Sequence, residues 1–141
     1  MAFSIAFSQA LEIAAYVGIK SDEERYDYLS IDKISEKLNI PVPSIKRISS
    51  LLKRTGILSS KTGIYGGLRL AKPASQITFY DILVATEGTN QLFKVHEDFD
   101  VTAFQDHNKV KNWLQESSKI LNEAEDAMVA VLKKTSLDDV G

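Results

Sequence analysis

Between Ser30 and Thr55 two short apolar stripes of helical period sit back to back, with Pro41 and Pro43 at the joint. No other stretch restricts the fold as much. Ile31, Ile34 and Leu38 recur at steps of three and four, so they share one face of a helix. Ser30 stands where a side-chain oxygen can cap the first turn, and Asp32 adds a favourable charge there. Asn39 follows the last apolar residue and suits a chain reversal. Pro41 and Pro43 block continuation of this helix, whereas Pro43 is tolerated at the opening of a second. That second helix is expected from Val42 to Thr55, with Val42, Ile45, Ile48 and Leu52 on its buried face. Pro43, Lys46, Arg47, Ser50 and Arg54 then fall on the opposite face.

Gly56 is expected to end this helix. Ile57, Leu58 and Ser59 read as a short strand, and Leu68 to Ala71 as a second. The connection from Lys61 to Gly67 holds Gly63, Gly66 and Gly67, which permit tight turns and close backbone approach. Two helices followed by a hairpin tipped with a cation read as a winged helix–turn–helix. Cations near the start of the second helix, with small polar groups beside them, suit insertion into a DNA major groove. The wing suits phosphates or the minor groove. Taken alone, the polar helix face has a plainer reading as solvated surface.

Charge favours the first reading. From Ser30 to Lys72 there are nine Lys and Arg against Asp32 and Glu36, a net of +7. The whole chain carries −2, so the remainder carries −9. A local basic field is what phosphate neutralisation requires.

The run from Gly63 to Pro73, Gly-Ile-Tyr-Gly-Gly-Leu-Arg-Leu-Ala-Lys-Pro, resembles the wing of the Rrf-two family of bacterial winged-helix transcription regulators. Ile77 to Gly88 is similar to the family's helix after the wing, and Gln91 to Glu97 to a segment of a cysteine-poor branch. The resemblance implies a transcription regulator that binds double-stranded DNA, with a sensing region after that helix where an unidentified small-molecule effector would act. Members that hold an iron–sulfur cluster do so with cysteines in that region. This sequence has none, so no cofactor of that type is expected. Ala2 and Ala6 stand where the family often carries basic residues, leaving Ser4, Ser8 and Gln9 as polar groups.

A length of 141 residues suits one compact domain with an appendage. No apolar run approaches the roughly 20 residues of a membrane span. No basic segment precedes an apolar one at the N-terminus, so a secretory signal is not expected. Absence of Cys excludes disulfides, and the cytoplasm is the default location.

In chain order, Phe3 to Gly18 reads as a first helix with Phe7, Leu11, Ala14 and Val17 in one stripe, widened by Ile13 and Tyr16. Lys20 to Tyr28 reads as an acidic loop or short helical extension. Pro73 to Gln76 is a connector, and Thr78 with Asp81 makes a capping-box start for a helix through Glu87, its inner face Phe79, Ile82, Leu83 and Thr86. Residues 1–88 thus form the DNA-binding domain. Residues 89–105 form a connector and candidate sensing region. There Phe93, Phe99 and Phe104 read as core packing or, alternatively, as the lining of a ligand pocket. His96, Glu97, Asp98 and His107 carry metal-ligating atoms, but without a tight spacing the reading is ordinary surface and no metal site.

A last helix is expected over 106–135. Val110, Leu114, Ser117, Leu121, Ala124, Met128 and Val131 make an a/d seam, with Trp113, Ile120 and Ala127 beside it. A seam on so long a helix is expected to form a dimer interface, Trp113 included, pairing two winged helices on a palindromic site. The alternative is a helix folded back on its own domain. Residues 136–141 are expected to be a frayed tail.

The expected function is a dimeric, sequence-specific DNA-binding regulator acting as a repressor. Pro43, Ser44, Lys46 and Arg47 would approach base edges or adjacent phosphates, with Ser50 beside them. Lys53 and Arg54 would anchor phosphates. Lys61, Gly63, Tyr65, Gly66 and Gly67 would approach backbone or minor groove. A winged helix turned to protein contacts is the alternative, against which the basic segment argues. An enzyme is set aside: no nucleophile with a base is evident, and the glycine-rich stretch lies between two strands, not between strand and helix.

Overall fold

The computed structural model describes residues 4–24, 27–89, 91–96 and 98–140. Phe3, Glu97 and Gly141 therefore lie outside the described residues. The chain divides into two compact units, one of residues 1–89 with 132–141 and one of residues 90–131.

The first unit holds α1 (Ile5–Glu24), α2 (Ile31–Leu38), α3 (Val42–Arg54), β1 (Leu58–Lys61), β2 (Gly67–Leu70) and α4 (Phe79–Glu87). The two-helix pattern forms where its caps place it. Ser30 accepts a hydrogen bond from the Lys33 amide, and Asn39 closes α2 in the left-handed region at φ 56°. α3 opens at Val42 with Pro43 in its first turn. It closes in a complete Schellman pair: the Ile57 amide donates to Leu52 O at 2.9 Å and the Gly56 amide to Lys53 O at 3.1 Å. Thr78 and Asp81 cap α4 reciprocally, at 3.0 Å and 2.9 Å.

Ala10, Ile13, Ala14 and Val17 of α1 are fully buried against Ile34, Ile45, Ile48, Leu52, Leu68 and Ile82. The buried stripe of α1 is thus centred between the expected one and its flank, with Phe7 and Leu11 only half-buried. Val42 is half-buried, and Ser49 takes an inward position on α3 instead, its hydroxyl donating to Lys46 O at 3.2 Å. Gly18 does not stop α1, which runs on to Glu24. A Cβ at Gly18 would lie 3.0 Å from Leu70 Cδ1, so the glycine permits close packing on β2 and the helix absorbs its modest propensity cost.

β1 and β2 pair antiparallel, Leu58 opposite Leu70 and Lys61 opposite Gly67. Lys61 therefore ends a strand and is not at the tip of the wing. A third backbone segment joins the sheet: Leu29 and Leu68 exchange two hydrogen bonds, each 2.8 Å. This approach requires glycine next door. A Cβ on Gly67 would lie 2.0 Å from Leu29 O, and one on Gly66 would lie 2.1 Å from Lys61 O.

The tail is not frayed. The Phe79 amide donates to Thr135 O and the Leu137 amide to Ile77 O, both at 2.9 Å, and Thr78 bridges Ser136. Leu137 to Val140 form a 3-10 turn capped by Asp139 on the Ser136 amide, and Leu137 packs on the core. The Phe79 amide at the start of α4 and the Ile77 carbonyl before it have no partner in the helical ladder, and this segment satisfies both.

In the second unit, α5 (His107–Lys133) dominates up to Val131. Asp106 caps it, accepting from the Lys109 amide at 3.0 Å. The Leu92 amide donates to the Glu125 carboxylate. Phe99 and Phe104 are exposed and stack on each other, centroids 5.8 Å apart, so they are not core residues. Asp100 caps a 3-10 turn, and the Thr102 hydroxyl and amide hold its carboxyl below the ordinary carboxylate range. No residue of α5 is fully buried.

Two stability tests follow from the first unit. Gly67→Ala must displace the Leu29 carbonyl and is expected to cost about 3 kcal/mol in urea unfolding. Wild-type stability would contradict the close approach. Leu137→Asp is expected to cost about 1–3 kcal/mol, because a charge replaces a core contact of the C-terminal segment; an unchanged midpoint would mean that segment is not docked.

Candidate nucleic-acid interface

Packing of Ile45, Ile48 and Leu52 into the core turns the other side of α3 outward. Pro43, Lys46, Arg47, Ser50, Lys53 and Arg54 are all exposed, and Ser44 is half-buried. Among the described residues no carboxylate pairs with Lys46, Arg47, Lys53 or Arg54. Their charge is therefore not neutralised by any described carboxylate. Lys53 differs from the others: its Nζ donates to Ser60 Oγ at 3.2 Å, tying the end of α3 to β1.

Beside the helix, the hairpin carries a second set of cations. The Arg69 guanidinium lies 4.9 Å from the Tyr28 ring centroid and the Lys61 ammonium 5.8 Å from it. Both contacts hold long side chains against an aromatic face, with the charge still exposed. Tyr28 and Lys33 join Lys61 and Tyr65 around an open cleft of about 560 Å³ between the wing and the start of α2. Asp27 is its acidic member.

Sequence reasoning brought Lys61 and Tyr65 to this surface but missed Tyr28, Lys33 and Arg69 as participants. Arg69 had a signal: it alternates with buried Leu68 on a strand, so it must face out. Tyr28 had none, since its place depends on the Leu29–Leu68 bridge. Gly66 and Gly67 serve the fold directly, through the close approaches to Lys61 and Leu29. Gly63 lies in the exposed turn with open space where a Cβ would be.

The expected seam of α5 divides into two. Val110, Leu114, Ser117, Leu121 and Met128 are half-buried, whereas Ala124 and Val131 are exposed. Trp113 is 67% exposed and Ile120 60%. The outward stripe therefore runs Trp113, Ile120, Ala124, Ala127 and Val131, with half-buried Ser117 between the first two, again at alternating steps of four and three. The flank of the expected seam is its exposed centre.

His96, Asp98 and His107 are exposed, and no group of three or more His, Cys, Asp or Glu is placed to hold a metal ion among the described residues. No described helix is long and apolar enough to cross a membrane.

The family model described as Rrf2, iron-dependent transcriptional regulator, matches residues 3–141. A Synechocystis sp. protein provisionally named HTH-type transcriptional regulator slr0846 is 31% identical over 96 residues, which is 68% of this chain and 65% of that relative. The match thus spans just under two thirds of the relative's length. Among solved structures, CymR (YrzC), the global cysteine regulator of B. subtilis, aligns with a TM-score of 0.73 over 99% of this chain and 95% of its own, at 25% identity. A provisionally named transcriptional regulator from Listeria innocua shares the fold with a TM-score of 0.77, over 99% of this chain and 85% of its own, at 21% identity. These relatives and neighbours are transcriptional regulators and not enzymes. The iron in the family description does not find a thiolate set here: the 141 residues contain no cysteine, so they do not fit a cysteine-ligated cluster. A winged helix–turn–helix with an outward basic helix, matched by the family model almost end to end, belongs to the Rrf2 family of DNA-binding transcriptional regulators.

Proposed function

We propose that this chain acts as a homodimeric repressor that places α3 in the major groove of each half of a palindromic operator and its wing on the adjacent backbone and minor groove. The observation that carries this reading is the outward face of α3, where Lys46, Arg47 and Arg54 meet no carboxylate among the described residues. Pro43, Ser44, Lys46, Arg47 and Ser50 occupy the first two-thirds of the helix and are assigned to base edges and nearby phosphates. Arg54, at its end, is assigned to phosphate. Lys53 is assigned to phosphate with its amine held by Ser60. Lys61 and Arg69, steadied on Tyr28, extend the phosphate track along the wing.

Dimerisation is assigned to α5. A 27-residue helix without a fully buried residue is not stable through its own unit alone, and its exposed stripe has the spacing of a coiled-coil seam. Trp113 and Ile120 are its large anchors, continued by Ala124, Ala127 and Val131. The half-buried residues Val110, Leu114, Leu121 and Met128 flank it. Signal input is assigned to residues 89–105, through an unidentified small-molecule effector and without a cysteine-ligated cluster. The cytoplasm is the expected location of such a regulator.

The test is fluorescence anisotropy with a duplex from the chain's own promoter against a scrambled duplex, across a salt series. Preferential binding that weakens steeply with salt is expected. Arg47→Ala should lose about 1–3 kcal/mol of preference for the specific duplex; unaltered preference would remove Arg47 from base recognition. Salt-independent binding to a protein partner, with no preference between duplexes, would favour the protein-interaction reading instead. For the dimer, Ile120→Glu should give a monomer by analytical ultracentrifugation with the helix content of the wild type. A variant that remains dimeric would exclude the Trp113–Ile120 stripe as the interface.

A further inference from the structure

The tip of the wing is apolar. Gly63 and Gly66 close a turn through a 3.0 Å hydrogen bond from the Gly66 amide to Gly63 O, and Ile64 and Tyr65 are its central residues. They are 91% and 82% exposed, the two most exposed large hydrophobic residues among those described. Turn formation does not explain them. Central turn positions favour Gly, Pro, Asn, Asp and Ser, and a β-branched residue gains nothing there. Core packing does not explain them either, because both side chains stand in solvent.

The turn is also firmly mounted. Lys61 pairs with Gly67, Leu68 exchanges two hydrogen bonds with Leu29, and the Cβ-free approaches at Gly66 and Gly67 fix the backbone at the root. An apolar pair held rigidly loses little conformational freedom on insertion. At its root stand Lys33, Lys61 and Arg69, which outnumber Asp27. Cations at the base and an apolar point match a minor groove, where phosphates flank a narrow slot of base edges.

We propose that Ile64 and Tyr65 form a wedge that enters the minor groove of the operator, partly unstacks one base step and bends the duplex. This inference rests on the DNA-binding reading above and adds to it a source of sequence preference. Base steps that unstack easily, pyrimidine–purine steps above all, are favoured under the wing, with no hydrogen bond to their edges. Lys33, Lys61 and Arg69 hold the flanking phosphates while the step opens.

The experiment uses the full chain and the promoter duplex labelled with a donor and an acceptor at its two ends. Energy transfer reports the bend and anisotropy reports affinity. Wild-type protein should raise the transfer on binding. The double variant I64S/Y65S should bind about tenfold more weakly and leave the saturated duplex straighter, while its salt slope stays as in the wild type because no phosphate contact is lost. The variant I64L/Y65F should retain the bend. Arg47→Ala, by contrast, should lose affinity yet bend the duplex at saturation. Equal bending and affinity for wild type and I64S/Y65S would overturn the wedge while leaving the DNA-binding reading intact, and would turn the apolar tip over to a protein partner. A wild-type chain that does not prefer the promoter duplex would overturn both.

Discussion

Two backbone hydrogen bonds between Leu29 and Leu68 fix the wing to the body of the domain, and the basic surface is arranged around that pairing. Gly67 makes it possible, because its missing Cβ leaves room for the Leu29 carbonyl. The pairing brings Tyr28 beside the hairpin, and Tyr28 in turn steadies Lys61 and Arg69. It also sets Ser30, the cap of α2, directly after a fixed point, so the helix pair begins where the wing is anchored. A small chain thereby presents cations from three separated segments on neighbouring ground.

The helix–turn–helix was legible in the residues because its determinants are local. Ser30 caps, Asn39 reverses the chain, Pro43 opens α3, and the isoleucines at steps of three and four choose which side is buried. Once Ile45, Ile48 and Leu52 face inward, geometry alone puts Lys46, Arg47 and Ser50 outward. The Thr78–Asp81 capping box was equally local. Gly18 misled because propensity marks glycine as a stop, whereas here it is a contact with Leu70 that lets α1 approach β2. The wing tip was misplaced because seven residues from Lys61 to Gly67 leave open where strand pairing ends; the Lys61–Gly67 pair settles it and puts Ile64 and Tyr65 at the point.

α5 shows how periodicity can be right while its phase is open. Apolar residues on a long helix supported two overlapping seams that share Ser117, Ala124 and Val131. Burial within the chain distinguishes them, covering part of Val110, Leu114 and Leu121 and leaving Trp113 and Ile120 in the open. The C-terminal residues were unreadable for a related reason. Nothing in Ser136 to Val140 is periodic, and their order comes from the backbone groups of Ile77 and Phe79 far away in the chain.

The sequence by itself determined the elements and the sign of the surface. Capping, turn chemistry and apolar period act over a few residues, and charge is a property of composition, so local sequence suffices to specify a basic helix–turn–helix with a glycine-rich wing. Tertiary structure decided what depends on residues distant in the chain. It joined Tyr28 to Lys61 and Arg69, gave Gly66 and Gly67 their steric necessity, docked Leu137 on the core and chose which stripe of α5 is open. Each of these rests on contacts whose partners lie well apart along the chain, and no local pattern specifies which distant group will fill the space.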